Sequence, residues 1–201
     1  RQVDLTMEQE RHYHSLKKTS VAFLETGEMV SAPEVMTQLL RLQQLLCGYL
    51  VTDDGELKLI ENNRMNVLME VIEEMEGKII ISNTVVNYYG DTSVEKRQEA
   101  IKKFQDKESD VRFFVSNPQT GGMGITLHAA TNVIYYSNDF NLESRKQSED
   151  RAHRVGQHHP VLYVDLMCPN TVDVHIVKSL LSKNKLANIT LGERVLEWLK
   201  V

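Results

Sequence analysis

Short runs of apolar, β-branched and aromatic residues in the middle of the chain constrain its fold most strongly. These runs are KIIIS (78–82), VVNYY (85–89), VRFFVS (111–116), NVIYY (132–136) and VLYVDLM (161–167). Continuous apolar runs of this length are typical of strands buried on both faces. Stretches with helical spacing, such as SVEKRQEAIKKFQ (93–105), separate several of them. We therefore predict an α/β fold with a parallel sheet flanked by helices.

Helical patterns precede and follow this central part. We expect residues 1–76 to form a lead-in of three helices, residues 77–168 to form the α/β core, and residues 169–201 to form closing helices. Thr6 and Gln9 have the spacing of a capping box at the start of the first helix. The third helix carries an apolar stripe that we expect to face the core, consisting of Met65, Leu68, Met69 and Ile72.

The connection after the first predicted strand is unusually short. Only Asn83 and Thr84 separate KIIIS from VVNYY, whereas parallel neighbours need a crossover of about a dozen residues or more. Either these two strands are antiparallel, or a crossover helix is missing from the sequence. We favour the missing crossover.

Composition narrows the classes of function. The 201 residues are 41% hydrophobic and 25% charged, which suffices for a sizeable core. No apolar run approaches the roughly 18 residues of a membrane span, so no membrane association is expected. The net charge of −5 argues against a uniformly basic surface, although it is compatible with a local basic face. The histidine pairs lack cysteine or acidic partners at ligand spacing, so no metal site is predicted.

A glycine-rich segment follows the VRFFVS run. SNPQTGGMGITLHAA (116–130) contains Gly121, Gly122 and Gly124. Glycines at the carboxyl end of a parallel strand let the backbone approach a phosphate closely, although a plain turn is the alternative. The segment lacks the lysine and serine or threonine of a Walker loop, and so does the rest of the chain. It is therefore not the principal cradle for a triphosphate.

The stretch QSEDRAHRVGQ (147–157) combines two arginines with helical spacing. On a helix, Gln147, Arg151 and Arg154 fall within an arc of about 60°. Gly156 is suited to end that helix, since the residue after a helix often has positive φ. We predict a helix end presenting two guanidinium groups and an amide on one face. The alternative is a solvated face whose arginines form salt bridges with the intervening acidic residues.

Together these motifs resemble a known family. GGMGITLHAATNVIYYSNDFNLESRKQSEDRAHRVGQ (121–157) closely resembles motifs V and VI of the Swi/Snf-like branch of superfamily two helicases, which are ATP-driven translocases and remodellers of double-stranded DNA. KIIIS resembles the motif IV strand, YYGDTSVEKRQEAIKKFQ (88–105) the segment after it, and TVDVHIVKSLLSKNKLANITLG (171–192) the closing helices. The resemblance covers nearly the whole chain and implies the second, C-terminal RecA-like lobe.

The resemblance also implies roles for individual residues. Arg151 and Arg154 match the motif VI arginines that reach the triphosphate held by the first lobe, and Gln147 matches the glutamine that begins the motif. A guanidinium stays charged and matches phosphate oxygens in a bidentate manner. Gly122 and Gly124 are expected to contact ATP. The residues expected to contact DNA phosphates are Gly90, Asp91, Thr92, Arg97, Ser116 and Thr120.

For the parent protein, the resemblance implies hydrolysis of ATP with Mg²⁺ when it is bound to double-stranded DNA. Both ATP and Mg²⁺ would be held mainly by an N-terminal RecA-like lobe in cis, so the present chain alone is expected to be inactive. Two alternatives from other classes remain. One is a DNA- or partner-binding module that does not hydrolyse ATP, and the other is the motor part of a nuclease or modification system.

Two departures from the family pattern bear on the origin of the chain. Phe140, Asn141 and Leu142 stand where Trp-Asn-Pro is common, and Thr126 stands where asparagine is frequent. They favour a divergent viral or bacterial branch. The expected location is therefore the cytoplasm of a bacterial or phage-infected cell.

Overall fold

The fold was analysed in a computed structural model, which describes residues 1–24, 32–52, 54–83, 93–117 and 125–181. In chain order the described elements are α1 (Met7–Leu24), α2 (Ala32–Leu46), β1 (Tyr49–Val51), β2 (Leu57–Leu59), α3 (Arg64–Glu73), β3 (Lys78–Ser82), α4 (Val94–Gln105), β4 (Phe113–Ser116), β5 (Ala130–Tyr135), α5 (Leu142–Ala152), β6 (Leu162–Asp165) and α6 (Val172–Leu181). The chain divides into two compact units. The sheet unit contains Arg1 and residues 68–166, and the helical unit contains residues 2–67 and the chain from Met167 onward.

The sheet unit is built on four strands in the order β4-β3-β5-β6, and all neighbouring pairs are parallel. In this register Ile80 lies between Phe114 and Val133. The predicted α/β fold with a parallel sheet flanked by helices is thus confirmed. The predicted strand VVNYY, and the junction after Asn83, lie outside the described residues.

The core of the sheet unit explains why these runs form strands. On one face, side chains from β3 and β5 pack with α4 and α5 in a buried cluster of Ile80, Phe104, Leu127, Ala130, Val133, Tyr135 and Ala152. Ile79 and Ile134 alternate with the cluster along their strands and are also fully buried. Each fully buried large apolar side chain stabilises the fold by about 1.5–3 kcal/mol. The apolar runs of the central strands β3 and β5 are therefore continuous because both of their faces are covered, whereas β4 and β6 each expose one or more apolar side chains.

Helices α4 and α5 begin at polar side chains that satisfy their first backbone N–H groups. Ser93 accepts a hydrogen bond from the backbone N of Lys96, and Asn141 accepts from the backbone N of Glu143 and Ser144. Such caps stabilise a helix by about 1 kcal/mol. These caps therefore set the residues at which α4 and α5 begin.

The helical unit contains α1, α2 and α6 with the β1–β2 hairpin. The capping box of α1 is confirmed, since Thr6 N donates to Gln9 Oε1 and Gln9 N donates to Thr6 Oγ1, both at 3.2 Å. The three helices expected within residues 1–76 are accompanied by two strands that were not predicted, since Tyr49–Val51 pairs antiparallel with Leu57–Leu59. Gly48, with φ +90°, ends the preceding helix and turns the chain into β1.

The apolar face of α3 differs from the predicted stripe. Leu68 and Ile72 are buried as expected, but Met65 and Met69 are 52% and 49% exposed. Val71 and Met75 are buried on the face of Leu68 and Ile72 instead. The buried face is thus rotated from the one expected, and the two methionines face solvent.

A buried ion pair lies within the helical unit. Arg64 is fully buried and forms an ion pair with Asp173, while its Nη2 also donates to Cys168 Sγ at 3.2 Å. Burial alone lowers the pKa of Arg64, but Asp173 and the thiols of Cys47 and Cys168 raise it well above its ordinary value. This arginine is a structural cation that links α3 to the start of α6.

Candidate functional site

Helix α5, which carries Gln147 and Arg151, ends at Ala152 rather than near Gly156. Arg154 therefore lies beyond the helix, and the expectation that all three residues share one helix face is wrong for Arg154. The reason is tertiary: Leu127 N donates to Arg151 O at 2.7 Å, which draws the helix end towards the segment before β5. The chain then turns, and Gly156 has φ +102°.

We call residues 151–157 the arginine turn. Arg154 is exposed on this turn, and its Nη1 donates to the hydroxyl of Thr126 at 3.0 Å. The backbone N of Gln157 donates to Arg154 O at 2.9 Å and closes the turn. A guanidinium group at the surface is thus held by a short hydroxyl side chain from the neighbouring segment.

Arg151 has a different environment from Arg154. It is only 7% exposed and lines a groove of about 360 Å³ that also contains Arg97 and Ser116. Burial lowers the pKa of Arg151, and Tyr135 opposes that effect. Arginine nevertheless remains charged in proteins. Its desolvated charge therefore interacts more strongly with an anion than it would in bulk water.

The groove is lined by α4, β4 and Ile125, and its apolar lining residues include Ile101 and Phe114. Its described lining contains four cationic side chains and no acidic one; the cations are Lys96, Arg97, Lys103 and Arg151. Residues predicted separately for DNA and for ATP, namely Arg97, Ser116 and Arg151, thus meet in one groove. Such a combination is suited to an anion with an apolar part.

The remaining predicted site residues are not brought into this groove. Gln147 is exposed on α5, and its Nε2 donates to Glu143 Oε1 at 3.2 Å. The other predicted residues lie outside the described part of the chain and stay predictions: Gly90, Asp91, Thr92, Thr120, Gly122 and Gly124.

Arg145 is a buried residue of α5 whose role the sequence did not reveal. Its Nη1 donates to Asn138 Oδ1 at 2.6 Å and its guanidinium pairs with Asp165, while its Nε donates to Glu149 Oε1 at 2.7 Å. The guanidinium carbon lies 3.5 Å from the centroid of the Tyr135 ring. Burial lowers the pKa of Arg145, but these partners raise it above its ordinary value. Arg145 therefore fastens α5 to the ends of β5 and β6.

This network includes one of the two acidic residues on which the alternative interpretation depends. Glu149 pairs with Arg145. The spacing of four residues between Arg145 and Glu149 was visible in the sequence. The contacts of Arg145 with Tyr135 and Asp165 depend on the fold and had no sequence signal.

Within the described ranges, no group of three or more His, Cys, Asp or Glu side chains is arranged to hold a metal ion. None of the helices found there is long and apolar enough to cross a membrane.

Comparison with known proteins identifies the family. Residues 37–156 match the family described as helicase conserved C-terminal domain. A probable ATP-dependent helicase of Plasmodium falciparum is 41% identical over 136 residues, a match that covers 66% of this chain and 6% of the relative. The chain spans between 5% and 14% of the length of the curated relatives compared.

Solved structures share the fold. The crystal structure of the C-terminal part of the Fun30 ATPase domain matches with a TM-score of 0.70 at 18% identity, covering 99% of this chain and 96% of that one. The Sulfolobus solfataricus SWI2/SNF2 ATPase core in complex with double-stranded DNA matches with a TM-score of 0.68 at 23% identity. That match covers 100% of this chain and 47% of the Sulfolobus chain.

The organisms of the relatives bear on the expected viral or bacterial branch. Relatives come from Plasmodium falciparum, Drosophila melanogaster, Arabidopsis thaliana, Schizosaccharomyces pombe and Homo sapiens, which are eukaryotes. They give no support to the expected viral or bacterial branch. What the matched residues do establish is that the chain belongs to the helicase conserved C-terminal domain family.

Proposed function

We propose that this chain is the second lobe of an ATP-dependent double-stranded DNA translocase, and that Arg154 and Arg151 act on ATP across the cleft from a first lobe in cis. The observation that carries the proposal is the exposed guanidinium of Arg154 on a turn fixed by Thr126 and Leu127. An arginine for a ligand on another lobe has to be both accessible and held in place. Arg154 meets both conditions.

The charge of the site fits a triphosphate. Arg154 is exposed beside a groove whose described cations include Arg151, and no described lining residue of the groove is acidic. When bound, MgATP supplies the phosphoryl group for transfer and the metal charge that assists it. The guanidinium groups of this chain would stabilise the negative charge that spreads over the phosphoryl oxygens in the transition state.

The same groove supports a role in holding the DNA backbone. Arg97 provides a cation and Ser116 a hydroxyl on the groove wall, and contacts of this kind position phosphates without reading bases. The Sulfolobus SWI2/SNF2 core was solved with double-stranded DNA, which makes duplex DNA the substrate we propose here. Binding should therefore weaken with salt and vary little with base sequence.

The setting of the parent protein follows from its relatives. One human relative is a chromatin-remodelling ATPase, so we propose DNA within chromatin as a substrate to test beside free duplex DNA. The cytoplasmic location predicted from the sequence stays a prediction.

The test is DNA-stimulated ATP hydrolysis by the parent protein. Arg151→Lys and Arg154→Lys keep the charge but lose the planar fork, and loss of an arginine finger lowers turnover by about 10³- to 10⁵-fold. Arg11→Lys, on an exposed face of α1, is the matched control and should change turnover less than about twofold. Wild-type turnover in both site variants would contradict the proposal, as would DNA-stimulated hydrolysis by the 201-residue chain alone.

A further inference from the structure

Gln157, the last residue of the arginine turn, makes an unusual set of contacts for a half-buried side chain. Its Nε2 lies 2.9 Å from His128 O, 2.8 Å from Ala130 O and 3.4 Å from Ala152 O. Its Oε1 accepts a hydrogen bond from His159 N at 3.0 Å. One amide thus contacts the segment before β5, the last residue of α5 and the chain after the turn.

From this geometry we propose that Gln157 is a positioning residue that holds Arg154 and Arg151 in place for ATP hydrolysis. The inference rests on the proposed function of the two arginines. Gln157 itself need not touch ATP, because its contacts are with backbone groups.

The contacts match the chemistry of a primary amide. The NH₂ group has two hydrogens, and the two short contacts, to His128 O and Ala130 O, use both. The longer contact reaches the carbonyl of Ala152, one of the last carbonyls of α5, which have no partner within the helix. A side chain without N–H groups at position 157 would remove the hydrogen bonds that the amide donates to the carbonyls of His128, Ala130 and Ala152.

The segment from Thr126 to Ala130, which the Gln157 amide contacts, is also held by α4. On α4, Gln105 Oε1 accepts from Ala129 N at 2.9 Å, and Gln105 Nε2 contacts His128 Nδ1 at 3.0 Å. The segment from Thr126 to Ala130 is therefore fixed between two glutamines. Gln105 holds it to α4, whereas Gln157 holds the arginine turn to it.

Two further hydrogen bonds join the arginine turn to the segment from Thr126 to Ala130, and each involves an arginine. Leu127 N donates to Arg151 O, and Thr126 Oγ1 accepts from Arg154 Nη1. Without the Gln157 side chain, the arginine turn would keep these two hydrogen bonds but lose the contacts of the amide with His128, Ala130 and Ala152. Because a displacement of about 1 Å can cost about 10²-fold in rate, a small shift of the turn should lower turnover without unfolding the unit.

The experiment compares Gln157→Met with Gln105→Met in the parent protein. Both replace a glutamine with an apolar side chain of similar length and remove contacts to the same segment. We expect Gln157→Met to lower kcat by about 10- to 100-fold with little change in KM for ATP, because the lost interaction acts in the transition state. Gln105→Met loosens the same segment one step further from the arginines, so it should lower kcat by less than Gln157→Met does. An equal loss of kcat in both variants would overturn the inference.

A double variant separates positioning from general weakening. If Gln157 acts through the two arginines, then Arg154→Lys combined with Gln157→Met should lose less turnover than the product of the two single losses. Multiplied losses would overturn the inference. Should Gln157→Met fold poorly, Gln157→Asn keeps the amide on a shorter side chain and should still lower kcat, and an unchanged kcat would count against positioning.

The two proposals fail in different ways. Wild-type turnover in Arg154→Lys would remove the proposed role of the arginines and this inference with it. A large loss in Arg154→Lys together with wild-type kcat in Gln157→Met would remove only the role of Gln157.

Discussion

Arginine occurs in contrasting settings in the two units. In the helical unit Arg64 is fully buried and pairs with Asp173, whereas in the sheet unit Arg154 is exposed and donates to the hydroxyl of Thr126. A buried cation with a carboxylate partner is needed by the fold around it, since removal of either member leaves an uncompensated charge. An exposed guanidinium group, in contrast, lies where a ligand can reach it.

The sheet unit contains the same contrast along a single helix. Arg145 is clamped by Asp165 and Glu149, while Arg151, six residues later, lines the cationic groove. Sequence spacing alone does not distinguish Arg145 from Arg151, because both are arginines of α5. The described surroundings of each guanidinium do distinguish them, and we use them to predict which substitutions affect stability and which affect turnover.

The largest effect on stability is expected at Arg64. Replacing it with methionine leaves Asp173 buried without its ion-pair partner and should lower the free energy of unfolding by about 3–5 kcal/mol. Arg154→Met should change it by no more than about 0.5 kcal/mol. Urea denaturation of both variants is the measurement, and similar losses in the two would break the contrast between the units.

A smaller loss is expected at Arg145. Arg145→Met removes its charged hydrogen bonds to Asp165, Glu149 and Asn138, and should lower the free energy of unfolding by about 1.5–3 kcal/mol. Asp165→Asn tests the same pair from the other side. If Arg145 and Asp165 stabilise the fold through their ion pair, a double-mutant cycle should show that the two losses in free energy of unfolding are not additive. Full additivity would argue against a contribution of this pair.

Alanine substitutions at two glycines separate an effect on backbone strain from an effect on ATP turnover. Gly156 and Gly55 have φ of +102° and +81°, and a Cβ added at either would meet no heavy atom closer than 4.0 Å. Alanine at either position should therefore cost a similar backbone strain of about 1–2 kcal/mol. Only Gly156→Ala lies in the arginine turn, so only it should also lower ATP turnover. Equal turnover in both variants would remove the functional importance of the turn.

The smallest effect is expected at Arg97. Arg97→Ala removes one proposed phosphate contact and should reduce the slope of log affinity against log salt by about 1, with no change in base-sequence preference. DNA binding by the parent protein, titrated at several salt concentrations, measures this slope. An unchanged affinity and slope would exclude Arg97 from the DNA site.

The sequence was most informative where local chemistry decides the structure. The apolar runs predicted four strands of the sheet, and the reason holds best for the central strands β3 and β5, which are buried on both faces. The capping box of Thr6 and Gln9 was predictable because its two hydrogen bonds join neighbours in the chain. The apolar stripe of α3 was only half correct, since Met65 and Met69 face solvent.

The geometry of the candidate site was less predictable. The end of α5 depends on the hydrogen bond from Leu127 N to Arg151 O, which joins residues far apart in sequence. The anchor made by Gln157 and the clamp made by Arg145 likewise use backbone or side-chain groups from other elements. Helical spacing identified the arginines, and tertiary contacts decided how each is presented.

The most direct test of the account is a paired measurement on Arg154→Lys in the parent protein. Turnover is measured at saturating ATP and DNA, and the free energy of unfolding is measured on the same preparation. The account predicts a turnover lower by about 10³- to 10⁵-fold with a free energy of unfolding within about 0.5 kcal/mol of wild type. Turnover near wild type, or a loss of turnover matched by a large loss of stability, would contradict it.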